Sequence, residues 1–283
     1  MRTILIPTNF SNVANYATDV AISMAQKNNT HIQLLHIIPW KTNFSLELKI
    51  NTQLPHEIEP ELEQFVKKAY KNFLKIHEAK NKNNLINMSL YLKSITNSNK
   101  LIEGIITHEA DLIVMGTQEI SGYEDEMLIG ENTRMLTKES KVPVLCVRNK
   151  IKDFEPQKIV FATHFKPSHI DVLVQLKKKF FDAYNAHIYF VYINTPENFS
   201  TTRKLTKIFQ SVKKNYKLDN ISLHIYNDIS RGGGIVNFSE DIDADLIIMP
   251  THGRKGLGYF FSGSIAEQVL DESKIPVLTF LAK

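Results

Sequence analysis

One stretch of the sequence, Pro250–Ser264, has the residue types and spacing of a loop that binds an anion. Its four glycines let backbone N–H groups turn toward a ligand and approach it closely. Gly263 and Ser264 lead into an amphipathic helical pattern that starts at Ile265, and a phosphate binds well at such a helix N-terminus. The cationic side chains of the stretch are His252, Arg254 and Lys255. Together these features predict a phosphate-binding loop.

The elements that must position such a loop alternate between strand and helix patterns. In the first half of the chain, short apolar runs predict strands at Ile4–Ile6, His31–Ile38, Met88–Leu92, Leu112–Met115 and Val142–Val147. Apolar residues three and four positions apart predict helices between them, and Ser11 can cap the first helix. This alternation predicts a parallel sheet with helices on both faces, which binds ligands where the strand order reverses. The loops after the first and fourth strands are therefore expected to carry a site.

The same pattern occurs a second time along the chain. Ala110–Thr117 matches Ala244–Thr251, and Glu139–Leu145 matches Glu272–Leu278. A polar linker at about 149–157 separates the two copies, which predicts two domains, 1–148 and 158–283. The first copy has an additional stretch from Lys41 to about Pro60, interpreted as a loop because it has no clean period. The apolar face of the helix after it is predicted to contain Leu62, Phe65, Val66, Ala69 and Phe73.

The loop, the strand pattern and the closing Lys274–Val277 strand resemble the universal stress protein family in its tandem-domain form, over essentially the whole chain. The family's loop has a glycine, two residues, a second glycine, nine residues, a third glycine and then Ser or Thr; here nine residues separate Gly253 from Gly263–Ser264. The resemblance implies an α/β fold with two tandem Rossmann-like domains, similar to adenine nucleotide alpha hydrolases. Each domain is expected to have a five-stranded parallel sheet with helices on both faces.

The resemblance also implies an adenine nucleotide, ATP or AMP, as the ligand of the second copy. The phosphate side is expected to consist of Gly253, Arg254, Gly263, Ser264 and Ile265. The nucleoside side is expected to consist of Ala162, Thr163, His164 and Ile193. No residue is assigned a catalytic role, so at most slight ATPase activity is expected. No metal site is predicted, because the ten histidines lack the spacing of metal ligands.

Two residues of the second copy depart from the family pattern. Pro250 stands where the family has its first loop glycine, and proline removes an N–H donor and fixes φ. The family's aspartate after the first strand, which contacts the nucleoside, is His164 here and Asn9 in the first copy. Asn9 keeps some capacity to form hydrogen bonds, whereas His164 could stack on a base or fill the pocket.

The loop of the first copy is altered more strongly. Glu119 replaces the second glycine, Glu131 replaces the Ser or Thr, and ten residues instead of nine separate Glu119 from Gly130. One close contact between like charges costs about 1–4 kcal/mol, so carboxylates here oppose a phosphate and we expect no ATP in this copy. The same carboxylates could hold a divalent cation, although a solvated acidic loop is the favoured interpretation. They are Glu119, Glu124, Asp125, Glu126 and Glu131.

Composition argues against several other classes of protein. The formal charge is +4 with scattered cationic residues, so no nucleic-acid partner is expected. No run of about 18 apolar residues occurs and the apolar start is too short for a signal peptide, so we expect a cytoplasmic protein without a membrane partner. Cys146 lies in an apolar run and is interpreted as a core residue. Neither Gly-x-Ser-x-Gly nor a Cys/His pairing indicates a nucleophile.

Three functional hypotheses follow. The first is a regulatory protein that responds to ATP or AMP, and the second is an interaction or scaffold protein in which both pockets are degenerate and whose protein partners are unknown. The third, an ATP-using enzyme of related fold, is disfavoured because neither first strand is followed by a Ser-Gly-Gly-type pyrophosphate loop. Arg231–Gly234 is interpreted as a flexible helix entry rather than a phosphate turn.

The closing strand of each copy predicts how the two copies assemble. In universal stress proteins this strand pairs across a dimer, so the resemblance implies that the two copies pair within the chain as a pseudo-dimer. Association of two chains into a homodimer stays open.

Overall fold

The computed structural model describes residues 2–54, 59–80, 86–96, 101–117, 119–120, 128–252 and 265–282. The chain divides into two compact units. The first comprises Met1–Gly116 and Lys150–Phe154, and the second comprises Thr117–Asn149 and Glu155–Lys283. Within the described ranges, no helix is long and apolar enough to cross a membrane.

The first unit is an α/β sheet structure with five strands among its described residues. Its elements are β1 (Thr3–Pro7), α1 (Asn12–Asn28), β2 (His31–Pro39), β3 (Ser45–Leu48), α2 (Pro60–Lys80), β4 (Met88–Ile95), α3 (Leu101–Ile106) and β5 (Leu112–Gly116). The strand order is β5-β1-β2-β4-β3. β5, β1, β2 and β4 run parallel, and β3 runs antiparallel to β4 at the edge.

The start of α1 shows how the sequence sets these boundaries. The Ser11 side chain accepts a hydrogen bond from the Ala14 N–H, as the cap was predicted to do. Asn29 caps the end of the helix, and its left-handed backbone (φ 47°) lets its N–H reach the Ala25 carbonyl. The buried face of α1 includes Ala17, Val20 and Met24, which have the three- and four-residue spacing of the predicted apolar stripe.

Two details of the first unit differ from the sequence expectations. The Lys41–Pro60 stretch is not only a loop, because it contains β3, in which Leu48 is buried. Phe65, predicted on the buried face of α2, is 51% exposed, while its neighbours Leu62 and Val66 are buried.

The second unit contains the complete second repeat and the end of the first. Its elements are β6 (Glu119–Ile120), β7 (Leu128–Ile129), α4 (Glu131–Glu139), β8 (Val144–Val147), β9 (Lys158–Ala162), α5 (Pro167–Leu176), β10 (His187–Asn194), α6 (Thr202–Tyr216), β11 (Ile221–Asn227), α7 (Arg231–Asp241), β12 (Leu246–His252), α8 (Ile265–Glu272) and β13 (Val277–Ala282). The sheet order is β11-β10-β9-β12-β13-β8. The first five of these strands are parallel, as predicted for this copy.

The closing strands of the two repeats pair with each other in this sheet. β8 runs antiparallel to β13, with Cys146 opposite Val277 and Val144 opposite Thr279. This is the pairing that the family resemblance implied. It also means that the predicted fifth strand of the first repeat is an antiparallel strand of the second unit, since an apolar run predicts a buried strand but neither its direction nor its partner.

Candidate functional site

The strand order of the second unit reverses between β9 and β12. The chain passes from β9 to β10 and β11 on one side, then returns through α7 to β12 on the other side of β9. The carboxyl ends of β9 and β12 therefore flank the crevice where parallel α/β sheets bind their ligands. Ala162 ends β9, and Thr163 and His164 follow it directly, so three predicted nucleoside-side residues lie at this point.

Thr163 builds the turn that leaves β9. It is 5% exposed, and its backbone N–H donates to the Val191 carbonyl of β10 at 3.3 Å. Its hydroxyl accepts the N–H of Phe165 at 3.0 Å and lies 3.3 Å from Nδ1 of His169. Phe165 adopts a left-handed backbone (φ 60°), which this hydrogen bond supports. The hydroxyl of Thr163 is thus used to hold the turn in place.

The first unit repeats this turn after β1. The Thr8 hydroxyl accepts the N–H of Phe10 at 2.9 Å, and Phe10 also has a φ of 60°. The residue between them, Asn9, accepts the Ser11 N–H through its Oδ1 at 3.0 Å. Because Ser11 caps α1, the Asn9 oxygen is committed to starting that helix.

His164 occupies the position of Asn9 in the second unit but has different partners. The side chain is exposed, its ring meets Tyr192 edge-on at 5.5 Å, and its Nε2 lies 3.4 Å from Nη1 of Arg231. It does not cap α5, which begins instead with Pro167. His164 therefore places an imidazole nitrogen beside a guanidinium at the edge of the crevice.

Arg231 reaches this position because it is the first residue of α7. Ser230 caps α7 by accepting the Gly233 N–H at 3.0 Å, and Asp228 accepts the Ser230 N–H at 3.2 Å. Partial burial acts to raise the pKa of Asp228, but its hydrogen bonds, including one from Asn237 at 2.9 Å, outweigh this and lower the pKa. Sequence reasoning did not assign Arg231 to the site; the signal available was a cation at the start of the helix after the third strand.

The glycines after Arg231 have a packing role. They lie in the first turn of α7, whereas the sequence was interpreted as a flexible entry to the helix. A Cβ on Gly232 would stand 2.2 Å from Oε1 of Gln268, and a Cβ on Gly234 would stand 2.6 Å from Cγ2 of Ile193. α7 therefore packs closely on α8 and on β10. Ile193, the fourth predicted nucleoside-side residue, is 5% exposed and lies under α7.

The predicted phosphate side falls mostly outside the described residues. Gly253, Arg254, Gly263 and Ser264 lie in the range 253–264, and only Ile265, the first residue of α8, is described. In the acidic loop of the first copy, Glu124, Asp125 and Glu126 also lie outside the described ranges, and Glu131 is an exposed residue in the first turn of α4. Among the described residues, no three His, Cys, Asp or Glu side chains are grouped to hold a metal ion.

Comparisons with known proteins agree with the repeat and with the fold. The model of the universal stress protein family matches residues 1–148 and 156–280. A universal stress protein from Archaeoglobus fulgidus DSM 4304 is similar over 99% of this chain and 98% of its own, with 16% identity and a TM-score of 0.72. A putative universal stress protein from Pseudomonas aeruginosa UCBPP-PA14 is similar over 100% of this chain and 94% of its own, with 15% identity and a TM-score of 0.62. A search of curated proteins gave no match. The chain belongs to the universal stress protein family and carries two copies of its domain in tandem.

Proposed function

We propose that this protein is a regulatory universal stress protein that binds one adenine nucleotide, ATP or AMP, in its second unit. The observation that carries the proposal is the pairing of His164 with Arg231 at 3.4 Å beside the reversal of strand order. A guanidinium stays charged at any physiological pH, and it binds phosphate oxygens through two parallel N–H donors. The nucleotide phosphates would contact Arg231 and residues of the predicted Gly253–Ser264 loop, with the nucleoside over Thr163 and His164.

The first sequence repeat lacks the same chemistry. Asn9 uses its side-chain oxygen to hold the Ser11 N–H, and the first turn of α4 begins with the carboxylate of Glu131. A carboxylate at a helix N-terminus already provides the negative charge that this end of a helix favours, and it repels a phosphate. The proposal is therefore one nucleotide per chain.

Calorimetric titration of ATP, ADP and AMP into the full chain tests this proposal. We expect a stoichiometry of one, and a loss of affinity of about tenfold for Arg231→Ala, which is about 1.4 kcal/mol. Asn9 is the residue of the first unit that is equivalent to His164, so Asn9→Ala is the matched control for His164→Ala. The Asn9→Ala variant should bind the nucleotide with unchanged affinity. Absence of both heat and thermal stabilisation with millimolar ligand would contradict the proposal.

One observation favours the alternative of an interaction protein. Phe199 and Ile229 are 70% and 91% exposed on the loops that follow β10 and β11, at the carboxyl edge of the same sheet. Mass spectrometry of what co-purifies with the protein separates the two functions. A nucleotide recovered from wild type and lost in Gly263→Asp supports nucleotide binding, whereas identical spectra without nucleotide from both proteins support the alternative.

A further inference from the structure

A second group of polar side chains lies at the opposite end of the same sheet. His187 is the first residue of β10, Ser222 is the second residue of β11, and Asn220 immediately precedes β11. This is the amino end of the parallel strands, whereas the candidate nucleotide site is at their carboxyl end. The three residues form a hydrogen-bonded chain that the nucleotide proposal does not use.

The orientation of Asn220 fixes the protonation pattern of this chain. Its Nδ2 donates to the carbonyl oxygens of Asn185 and Ala186, each at 3.0 Å, so its Oδ1 is the atom that faces His187 Nδ1 at 2.8 Å. Because that oxygen can only accept, Nδ1 of His187 carries the proton. The other ring nitrogen, Nε2, therefore presents a lone pair to the Ser222 hydroxyl at 2.8 Å.

His224 completes the surroundings of the Ser222 oxygen. Its Nε2 lies 2.9 Å from Oγ of Ser222, and it donates there because the Ser222 proton points to His187. Burial is the main cause that lowers the pKa of His224, which favours its neutral form. The hydroxyl thus lies between an acceptor that can take its proton and a donor that can stabilise the oxygen left behind.

We propose that Ser222 is a serine nucleophile that takes acyl groups from small esters, with His187 as its general base and Asn220 as a positioning residue. A nucleophile hydrogen-bonded to a base, with the base oriented by a third group, is the arrangement that activates serine hydroxyls. In the first step Oγ bonds to the ester carbonyl carbon, the Ser222 proton passes to Nε2 of His187, and the alcohol leaves with that proton. Water then hydrolyses the acyl-serine and releases the carboxylic acid.

The first unit contains the same residue types in the same register and provides an internal control. His31 Nε2 lies 3.0 Å from Ser89 Oγ, and Asn87 precedes β4 as Asn220 precedes β11. The pairs Ile32–Met88 and Ile188–Ile221 show that the two strand pairings are equivalent. Ser89, however, is 0% exposed, whereas Ser222 is partly exposed on the edge strand of its sheet. Only the second copy of the pair is accessible to a substrate.

Labelling of the full chain with a fluorophosphonate probe, followed by peptide mass spectrometry, tests the proposal. We expect an adduct on Ser222 that is absent in Ser222→Ala, unchanged in Ser89→Ala, and formed roughly 100-fold more slowly in His187→Ala, since general-base assistance is typically of this size. The rate of p-nitrophenyl acetate hydrolysis should also fall in Ser222→Ala and His187→Ala.

Asn220 requires a variant that keeps its left-handed backbone, which has a φ of 52°. Asn220→Gly removes the side chain but tolerates this conformation. We expect slower labelling and an altered pH profile, because the His187 ring loses its orienting acceptor. Circular dichroism is the check that each variant is folded. Lack of an adduct on Ser222 in the folded wild-type protein, or equal labelling rates in wild type and His187→Ala, would overturn the proposal, and neither result depends on whether nucleotide binds.

Discussion

Arg134 donates from Nη2 to both carboxylate oxygens of Asp271, at 3.3 and 3.1 Å. Arg134 lies on α4, which comes from the first sequence repeat, and Asp271 lies on α8 of the second. Lys138 of α4 likewise forms an ion pair with Glu267 of α8, and the Thr251 hydroxyl of β12 donates to the Thr137 carbonyl at 3.1 Å. The last helix of the first repeat is therefore held in the second unit by polar contacts as well as by the pairing of β8 with β13.

We expect Arg134→Ala to lower the free energy of unfolding by about 1 kcal/mol, because hydrogen bonds to charged groups contribute more than neutral ones but partial exposure screens this pair. The Arg134 and Asp271 side chains are 29% and 17% exposed. Urea unfolding measures the change, and a double-mutant cycle with Asp271→Ala isolates the pair. Lys141→Ala, at an exposed position just after α4, is the control. A coupling energy of zero in the cycle would show that the pair does not stabilise the unit.

Gly232→Ala tests the close packing of α7 on α8. The new Cβ would stand 2.9 Å from Cβ of Gln268 and closer still to the end of that side chain, so Gln268 or the helix must move. We expect a loss of about 1–3 kcal/mol of stability, as for other overpacked sites. Gly130→Ala is the matched control, because nothing lies within 4 Å of its Cβ and its φ is −60°. Equal stabilities of the two variants in urea unfolding would contradict the packing role.

Much of the fold follows from the sequence because its apolar runs are buried on both faces of a parallel sheet. β3 was missed because Ser45–Leu48 is too short to show a period, and its position depends on pairing with β4. Phe65 shares helical spacing with Leu62 and Val66, but its ring meets Trp40 at 5.9 Å and stays half exposed. Helical periodicity places a residue near the edge of a face without deciding whether the neighbouring element covers it.

The candidate site residues also divide into those that the sequence predicts and those that it does not. Thr163 and His164 could be placed from the sequence because they follow a predicted strand, and strand ends carry ligands in this fold. Arg231 and the Ser222 group could not, since each depends on partners far away in the chain: His164 is 67 positions from Arg231, and His187 is 35 positions from Ser222. Spacing motifs detect only the sites whose residues lie close together in sequence.

The repeated turns after β1 and β9 predict a loss of stability in both units when the threonine hydroxyl is removed. Thr163→Val removes the hydroxyl that accepts the Phe165 N–H, and Thr8→Val removes the acceptor of the Phe10 N–H. The stranded N–H of Phe165 is buried and should cost about 1–3 kcal/mol, whereas that of Phe10 is partly buried and should cost less. Thr→Ser at either position keeps the acceptor and serves as the control. Urea unfolding that shows no difference between the Val and Ser variants would refute the role of these hydroxyls.

The half-buried His36 of β2 predicts a loss of stability in mild acid. Burial lowers the pKa of His36, and its hydrogen bond with the Thr8 carbonyl, at 2.8 Å from Nδ1, opposes this only in part. The unfolded chain, in which His36 titrates near its usual value of about 6.5, therefore binds the proton more readily than the folded chain does. The stability that this difference provides is present above that value, and it is lost as the pH falls through it toward the lower folded pKa.

His36→Gln removes this titration while leaving an amide that can donate to Thr8. We expect the stability of the variant to fall less than that of wild type between pH 7.5 and pH 5.5, with the remaining slope coming from other histidines of lowered pKa such as His31 and His108. Ser11→Ala is the control, because loss of a helix cap costs about 1 kcal/mol at every pH and leaves the slope unchanged. Urea unfolding at a series of pH values measures both. A slope in His36→Gln equal to that of wild type would show that His36 keeps its ordinary pKa in the folded protein.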